Sequence, residues 1–371
     1  MAISGLPSTQ TAVVARKGHY AISATAPIPP LEADSILIRT EAVAINPVDL
    51  NAVMNFDYDG TVGGFDVAGT VLAVGSAVDN GLREGDRVGA TVHGMNPLRP
   101  ADGAFAQYVV TPADLAIRVP ADTPIESAAT LAVGVGTVGL ALRSLGLDSA
   151  LVPGPDGATN SAAKPSKPLV VLVHGGSTAT GTLALQFLRH AGHTPIATCS
   201  PHNFELVRKA GAEKVFDYRS ESCTADIRSH TRNSLRYVLD CISETSAMEF
   251  SYGCIGRAGG RYTALHPFSS RVAASRPTIK ADWVFQPALF GREVGWPSPF
   301  GRAGDAELRG FARAFYRVAQ ETLEKGELRP HPVSVSSETD GFAGVIAAVD
   351  QMREGVSGVK LVCRVLPDSH V

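Results

Sequence analysis

The strongest constraint on this chain is the run from Leu169 to Gly181. Leu169-Val170-Val171-Leu172-Val173 is apolar throughout and mostly β-branched. Such a run fits a strand covered on both faces, as in a parallel sheet. His174-Gly175-Gly176-Ser177-Thr178-Ala179-Thr180-Gly181 follows without a break, and Thr182 to His190 then carries Leu183, Leu185, Phe187 and Leu188 among helix formers. Strand, small-residue turn and helix in that order present backbone N–H groups to a phosphate at a helix N-terminus. The glycines do not fall in the order G-x-G-x-x-G, so the turn taken alone also fits an ordinary βα connection.

The residues that follow repeat the same alternation. Strands are expected at Thr194–Thr198, Lys214–Phe216, Leu235–Asp240 and Gly260–Leu265. Helices are expected between them at Asn203–Ala210, Ala225–His230 and Ala247–Ile255. This pattern is that of a doubly wound α/β sheet. Up to about residue 130 the chain reads differently: short strands at Gln10–Val14, Ser35–Ile45, Phe65–Val74, Arg87–Val92, Gly103–Val110 and Leu115–Val119, divided by Gly and Pro turns. A small barrel-like domain fits that layout. A helix at Ser127–Ala132, a glycine-punctuated segment Val133-Gly134-Val135-Gly136-Thr137-Val138-Gly139 and a helix at Leu140–Leu147 lead out of it. Asp148 to Lys167, rich in Pro, Gly, Ser and Ala and without periodicity, reads as an exposed, mobile insertion. Beyond the alternation, Phe311–Lys325 reads as an amphipathic helix, Phe342–Arg353 as a helix and Lys360–Val365 as a last strand that rejoins the first domain. The expected division is therefore 1–135, 136–305 and 306–371, the third piece completing the first.

Composition excludes several classes. A formal net charge of −3 gives no reason to expect nucleic acid or an anionic membrane. No apolar run approaches the ~18 residues of a membrane span. The first residues lack a basic segment followed by an apolar one, so no secretory signal is visible and a cytoplasmic location is expected. Cys199, Cys223, Cys241, Cys254 and Cys363 are scattered, with no C-x-x-C pair, which fits a reducing compartment and argues against a disulfide framework or structural zinc.

A dinucleotide site usually carries an acidic residue at the end of its second strand, for the ribose diol. Here that strand ends Ala197-Thr198-Cys199-Ser200-Pro201-His202-Asn203, without Asp or Glu. A carboxylate there would repel a 2′-phosphate, whereas Ser200, His202 and Asn203 can donate to one, so NADPH is favoured over NADH. Tyr218 and Arg219 fall just past the third strand, where they could cover the adenine or assist the phosphate. Helix N-capping is the alternative role of Ser200 and Asn203.

Several further segments carry a resemblance: Ala44-Ile45-Asn46-Pro47-Val48-Asp49, Gly64-Phe65-Asp66-Val67-Ala68-Gly69-Thr70-Val71, Glu84-Gly85-Asp86-Arg87-Val88 and Gly103-Ala104-Phe105-Ala106-Gln107-Tyr108. With the turn at 175–181 they resemble the zinc-independent medium-chain dehydrogenases/reductases. More narrowly, Gly175 to Thr180, Ala197 to Phe204 and Ile255-Gly256-Arg257-Ala258-Gly259-Gly260 resemble the trans-acting enoyl reductases of fungal polyketide synthases, of the lovastatin-pathway type. The resemblance implies a GroES-like β-barrel domain joined to a Rossmann domain. Zinc-dependent members place Cys early and a His-Glu pair later. This chain has Asn46-Pro47-Val48-Asp49 and Gly64-Phe65-Asp66 there, so no metal is expected.

The implied reaction is hydride transfer from NADPH to the β-carbon of an α,β-unsaturated thioester on an acyl-carrier protein, then protonation of the α-carbon. By the same resemblance Val48, Asp49, Leu50 and Asn51 approach the nicotinamide, and Ser177, Thr178, Ala179, Thr180, Ser200, Pro201, His202 and Asn203 take the phosphates. Tyr218, Leu265, His266, Val356 and Ser357 line the cofactor. Thr137, Val138, Gly139, Leu140, Ala141, Leu142, Arg143 and Ser144, with Gln286, Pro287, Ala288, Leu289 and Phe290, line the acyl pocket, although the second segment also fits core packing. Relatives carry Tyr or Lys where this chain has Asn51, which is no acid near neutral pH. Asn51 and Thr137 are therefore read as positioning groups, with the proton either supplied by water or oriented by Thr137. A free-standing NADPH quinone or enone reductase and a non-catalytic nucleotide-binding scaffold are the competing readings. Relatives dimerise through the strand at 260–265; here His266-Pro267 follows it, Pro cannot donate to an added ladder, and a monomer is expected.

Overall fold

The structure is a computed structural model in which residues 6–152, 167–336 and 341–365 are described. It divides into two compact units. The first contains 1–133, 287–326 and 330–371, and the second 134–286 with 327–329. The crossover after the parallel sheet thus falls at Gln286/Pro287, earlier than the 305/306 expected from sequence.

In the first unit, β1 (Thr9–Arg16) and β2 (His19–Pro27) form an antiparallel hairpin turned at Lys17-Gly18, both left-handed. Then come β3 (Ser35–Ala44), α1 (Pro47–Asn55), β4 (Asp66–Val74), β5 (Arg87–Thr91), β6 (Tyr108–Pro112), β7 (Ala116–Arg118) and α2 (Ile125–Ala128). Antiparallel register sets Ala44 opposite Asp66 and Asp66 opposite Thr91, so the segments leaving β3 and β5 lie beside the start of β4.

In the second unit, α3 (Ala132–Leu145) replaces the expected glycine-punctuated segment and later helix: the glycines lie inside the helix. A Cβ on Gly134 would stand 2.5 Å from Leu183 Cδ1, so close packing between helices accounts for that glycine against its weak helix propensity. The span Ile125–Leu145 is long and apolar enough to cross a membrane, contrary to the reading from sequence. It is 83% buried inside the protein, as a core helix is. Of the expected insertion at 148–167, residues 153–166 lie outside the described residues, while Leu151 and Val152 are buried.

The alternation then runs β8 (Val170–His174), α4 (Ala179–His190), β9 (Thr194–Cys199), α5 (Phe204–Lys209), β10 (Lys214–Asp217), α6 (Cys223–His230), β11 (Tyr237–Asp240), α7 (Thr245–Cys254), β12 (Gly260–Ala264), α8 (Ser270–Ser275) and β13 (Ile279–Trp283). The six strands are parallel, in the order β10-β9-β8-β11-β12-β13. Leu172, Ile196, Val238, Met248, Tyr252 and Tyr262 form its core. β13 was not expected, and it corrects the edge argument: Gly260–Ala264 is an inner strand, so Pro267 shields no edge.

The chain returns to the first unit through α9 (Ala306–Glu324), β14 (Val333–Val335), α10 (Phe342–Gln351) and β15 (Lys360–Arg364). β15 pairs antiparallel with β3, making the sheet β14-β15-β3-β4-β5-β7, with β6 also on β3.

Candidate active site

In an open parallel sheet, ligands sit outside the carboxyl ends of the strands where the strand order reverses. Here the reversal lies between β8 and β11, and the loops leaving them touch: the Cys241 N–H donates to His174 O at 2.9 Å. Gly175 turns with φ +79°, and a Cβ on it would meet Ile242 Cδ1 at 2.8 Å. A Cβ on Gly176 would stand 2.7 Å from Ala197 Cβ, and one on Gly181 only 2.4 Å from Gly175 O. Gly175 is thus required by its left-handed backbone, Gly176 by close approach to a neighbouring strand and Gly181 by backbone against backbone. Thr178 caps α4: its hydroxyl accepts from the Gly181 N–H at 3.0 Å and donates to Gly175 O at 2.9 Å. The N–H groups of Ser177, Ala179 and Thr180 have no hydrogen-bond partner among the described residues. Three adjacent unengaged donors at the positive end of a helix fit a pyrophosphate.

Around this turn, the Thr198 hydroxyl meets His174 Nδ1 at 2.7 Å. Burial holds the His174 pKa below its ordinary value, so the ring is neutral. Ser200 and Asn203 are buried at the end of β9, while Pro201 and His202 are exposed. The Tyr218 hydroxyl hydrogen-bonds Ser200 and Arg219, which draws its pKa down. The Arg219 guanidinium also stands 5.4 Å from the centre of the Tyr218 ring. Neither Ser200 nor Asn203 makes the side-chain capping bond offered as its alternative role. Serine, tyrosine and arginine thus converge where a ribose-binding carboxylate would otherwise stand.

The sequence reading missed Asp240 and Ser243. Asp240 is buried, and its Oδ1 accepts from Ile242 N–H at 2.9 Å and Ser243 N–H at 3.0 Å. Its Oδ2 accepts from the Tyr262 hydroxyl at 2.7 Å. Ser243, at φ +64°, accepts from the Leu265 N–H at 2.8 Å, tying the loops after β11 and β12 together. Their signal was available: both follow the carboxyl end of an expected strand. His266 is exposed just beyond. Burial pushes the Cys199 thiol up to about 11 and raises the Cys241 thiol further, so neither is a thiolate nucleophile near neutrality.

Thr137 to Ser144 form consecutive positions of α3 and cannot all face one pocket, because each residue turns the helix about 100°. Val138, Ala141 and Leu142 are fully buried, and the Ser144 hydroxyl is held at 2.8 Å by both Thr263 Oγ1 and Asp282 Oδ2. Thr137, 9% exposed, and half-buried Arg143 remain as the polar members.

In the first unit, Val48, Asp49, Leu50 and Asn51 fall on α1. Asp49 Oδ2 accepts from the Asn46 N–H at 2.6 Å, closing the helix start, while Asn51 is exposed. Burial pushes the Asp49 carboxyl up to about 8. Asn46 Nδ2 donates to Asp66 Oδ2 at 3.0 Å, and Lys360 Nζ reaches the same oxygen at 2.5 Å. Asp66 Oδ1 accepts from the Val133 N–H at 2.9 Å. Asp66 and Lys360 are 0% and 5% exposed in their side chains. Zinc does not fit this donor set: it holds no thiolate or imidazole, Asp66 is fully engaged, and the Lys360 ammonium already supplies a cation there. Val356 and Ser357 are exposed in the turn before β15. Pro287, Ala288, Leu289 and Phe290, with Gln286 across the division between units, make a buried 3₁₀ turn. His93, also missed, lies two residues past β5. Its Nδ1 meets Asn96 Nδ2 at 3.2 Å, and burial pushes its pKa down to about 3.

Comparison with known proteins agrees with this layout. Residues 32–121 match the family described as alcohol dehydrogenase GroES-like domain, and 179–265 that described as zinc-binding dehydrogenase. Among curated relatives, trans-enoyl reductase FSL5 of Gibberella zeae is 47% identical, over 97% of this chain and 98% of its own. Trans-enoyl reductase phm4 of Pyrenochaetopsis is 45% identical, over 96% of each chain. Among solved structures, a putative zinc-dependent alcohol dehydrogenase protein from Rhizobium etli superposes with TM-score 0.75 at 22% identity, covering 96% of this chain and 98% of that one. The CurK enoyl reductase gives 0.71 at 19%, covering 96% and 100%.

Proposed function

The chain belongs to the trans-enoyl reductases of the medium-chain dehydrogenase/reductase superfamily, and on that premise we propose that it reduces α,β-unsaturated acyl thioesters with NADPH while they are carried by a polyketide synthase or hybrid synthase–peptide synthetase. The observation that carries this reading is Lys360 on Asp66. In the zinc-dependent members of the superfamily a Lewis acid polarises the oxygen of the alcohol or aldehyde. A conjugated thioester already polarises its alkene, so a site whose carboxylate is neutralised by lysine suits conjugate reduction.

The N–H groups of Ser177, Ala179 and Thr180 hold the pyrophosphate, and Ser200, Tyr218 and Arg219, with His202 and Asn203, receive the 2′-phosphate. Val48, Leu50, Asn51, Leu265, His266, Val356 and Ser357 border the nicotinamide end; Asp49, buried and bonded to the Asn46 N–H, is a structural residue of α1 instead. The coenzyme, when bound, supplies the hydride that reaches the β-carbon. Asn51 and Thr137 orient the thioester and stabilise the charge that gathers on its oxygen. Water protonates the α-carbon, since an amide side chain is no acid. Thr137 and Arg143 of α3 and the turn at 286–290 border the acyl chain, and the enzyme works as a cytoplasmic monomer.

The deciding experiment compares crotonyl thioesters on carrier protein, pantetheine and coenzyme A with a simple quinone, each with NADPH and NADH. Stereospecific reduction, fastest from the carrier and with NADPH, is expected. Preference for the quinone overturns the substrate assignment, and NADPH binding without turnover of any acceptor reduces the chain to a scaffold.

A further inference from the structure

A second concavity lies in the parallel-sheet unit, away from the coenzyme turn. It has a volume of about 520 Å³ and is lined by Arg228, Tyr252, Gly253, Ile255, Arg257 and Arg276. Topology fixes its place. Arg257 lies in the turn feeding β12, Arg276 in the turn feeding β13, and Arg228 near the end of α6, before the turn feeding β11. These turns enter the amino ends of the strands, whereas the coenzyme-binding segments of this unit, at 177–180, 200–203, 218–219 and 265–266, leave the carboxyl ends. The two sites are on opposite edges of one sheet.

Two of the three guanidinium groups are held in place. Arg276 donates to Ile255 O at 2.9 Å, to Gly256 O at 2.8 Å and to Tyr252 O, so it closes the end of α7. Arg228 Nε donates to Asn233 Oδ1 at 3.1 Å. Asn233 is itself locked at φ +56°, and its carbonyl leaves no room for a Cβ on Gly256, 2.2 Å away. No carboxylate pairs with Arg228, Arg257 or Arg276 among the described residues. Elsewhere, Arg99, Arg118, Arg271, Arg292, Arg309, Arg313 and Arg364 all meet acids. The Tyr252 hydroxyl, buried and without a partner, belongs to another lining residue. Three uncompensated cations around an aromatic and aliphatic floor, on a chain whose net charge is −3, form a local field opposite to that of the whole.

We propose that this concavity is a docking pocket for an acidic surface patch of the partner protein that delivers the substrate. The inference rests on the functional reading above, because only an enzyme acting on another protein's cargo needs such a contact. An anion bound here touches no reacting atom, so its role is recruitment. Planar guanidiniums suit carboxylates in bidentate pairs, and opposed charge speeds association and fixes register.

The test titrates the intact protein with a hexaglutamate peptide and, separately, with pyrophosphate. It compares wild type with Arg228→Glu/Arg257→Glu and with Arg257→Gln, at low and at physiological ionic strength. Both arginines are exposed, and Arg276 is left in place to keep α7 closed. The peptide is expected to bind wild type, to weaken with salt and to lose about tenfold or more in affinity in the double variant. Reduction of crotonyl-pantetheine is expected to stay unchanged. Absence of peptide binding, or equal binding by the double variant, overturns the proposal. Pyrophosphate binding without peptide binding also overturns it, in favour of a free-anion site. Failure of wild type to reduce crotonyl-pantetheine overturns the functional reading instead and is read independently of the titration.

Discussion

Two neighbouring segments of the first unit carry opposite kinds of residue. Asn51 is exposed and polar on α1, and its carbonyl accepts from Asn55 Nδ2 at 2.7 Å. Its side chain is free to meet a ligand and adds nothing to packing. Asn51→Ala is therefore expected to lower turnover while leaving NADPH affinity within a few-fold, measured by steady-state kinetics beside a fluorescence titration. A large loss of NADPH binding with intact turnover would refute the role. Lys360 is the reverse case, a buried ammonium that neutralises Asp66. Lys360→Met leaves that carboxylate buried without its countercharge, which costs about 3–5 kcal/mol. In urea titrations it is expected to unfold far earlier than wild type. Arg271→Met, which breaks an exposed pair with Glu249, should leave the midpoint nearly unmoved. This pair also shows what a sequence hides. Asp66 was visible as the residue in a metal ligand's place, but the cation that answers it lies 294 positions away, and no local pattern joins them.

At the scale of elements, the turn before α4 behaves as one unit. A Cβ on Gly181 would press on Gly175 O at 2.4 Å and on Gly176 Cα at 2.9 Å, both backbone atoms that cannot swing aside. Gly181→Ala should push α4 off the turn. Overpacking of this kind costs about 1–3 kcal/mol, and NADPH affinity should fall by an order of magnitude as the donors of Ser177, Ala179 and Thr180 move apart. Gly310→Ala on α9 makes the same chemical change where a Cβ meets nothing within 4 Å. It should stabilise by about 0.5–1 kcal/mol, from helix propensity alone. Thermal melts of both, with NADPH titrations of the first, check the contrast. The elements legible from sequence were those with a period. β8, Val170-Val171-Leu172-Val173, is an apolar run because both faces are covered, β9 to β12 follow it in a regular alternation with helices, and α9 shows its stripe plainly. β13, Ile279-Lys280-Ala281-Asp282-Trp283, alternates buried and exposed residues at a sheet edge, and its charges disguised it as a loop. β2, His19–Pro27, was hidden by its small and polar residues and few buried positions, and α3 by glycines, of which Gly134 packs against a neighbouring helix. The site was legible where it depends on chain order, at 175–181 and 200–203. It was obscured where it depends on two loops meeting, as Ser243 does with Leu265.

For the whole molecule, buried titratable groups of opposite sign shape stability against pH. Burial pushes His93 down to about 3 and His331 down to about 4, so both stay neutral in the fold. An unfolded histidine takes its proton near 6.5. Below that pH the unfolded chain binds more protons than the fold, so stability rises with pH by up to about 1.4 kcal/mol per unit for each ring. His174 and His193, lowered by burial too, add to this acid limb. Asp49 acts against them. Burial pushes its carboxyl up to about 8, so the fold keeps a proton that the unfolded chain has released above roughly 4. Stability accordingly drops with pH across that window, by up to about 1.4 kcal/mol per unit. From pH 4 to about 6.5 the histidines outweigh the single carboxyl, and from there to about 8 the carboxyl acts alone. The expected outcome is a stability maximum near pH 6.5, read from urea midpoints across pH 4.5 to 8.5. Asp49→Asn should flatten the alkaline limb and steepen the acid limb, since the amide has no proton to lose and no longer opposes the histidines. A wild-type midpoint that levels off above pH 6.5 instead of falling would show that the Asn46 N–H holds Asp49 ionised in the fold, and that the histidines alone set the profile.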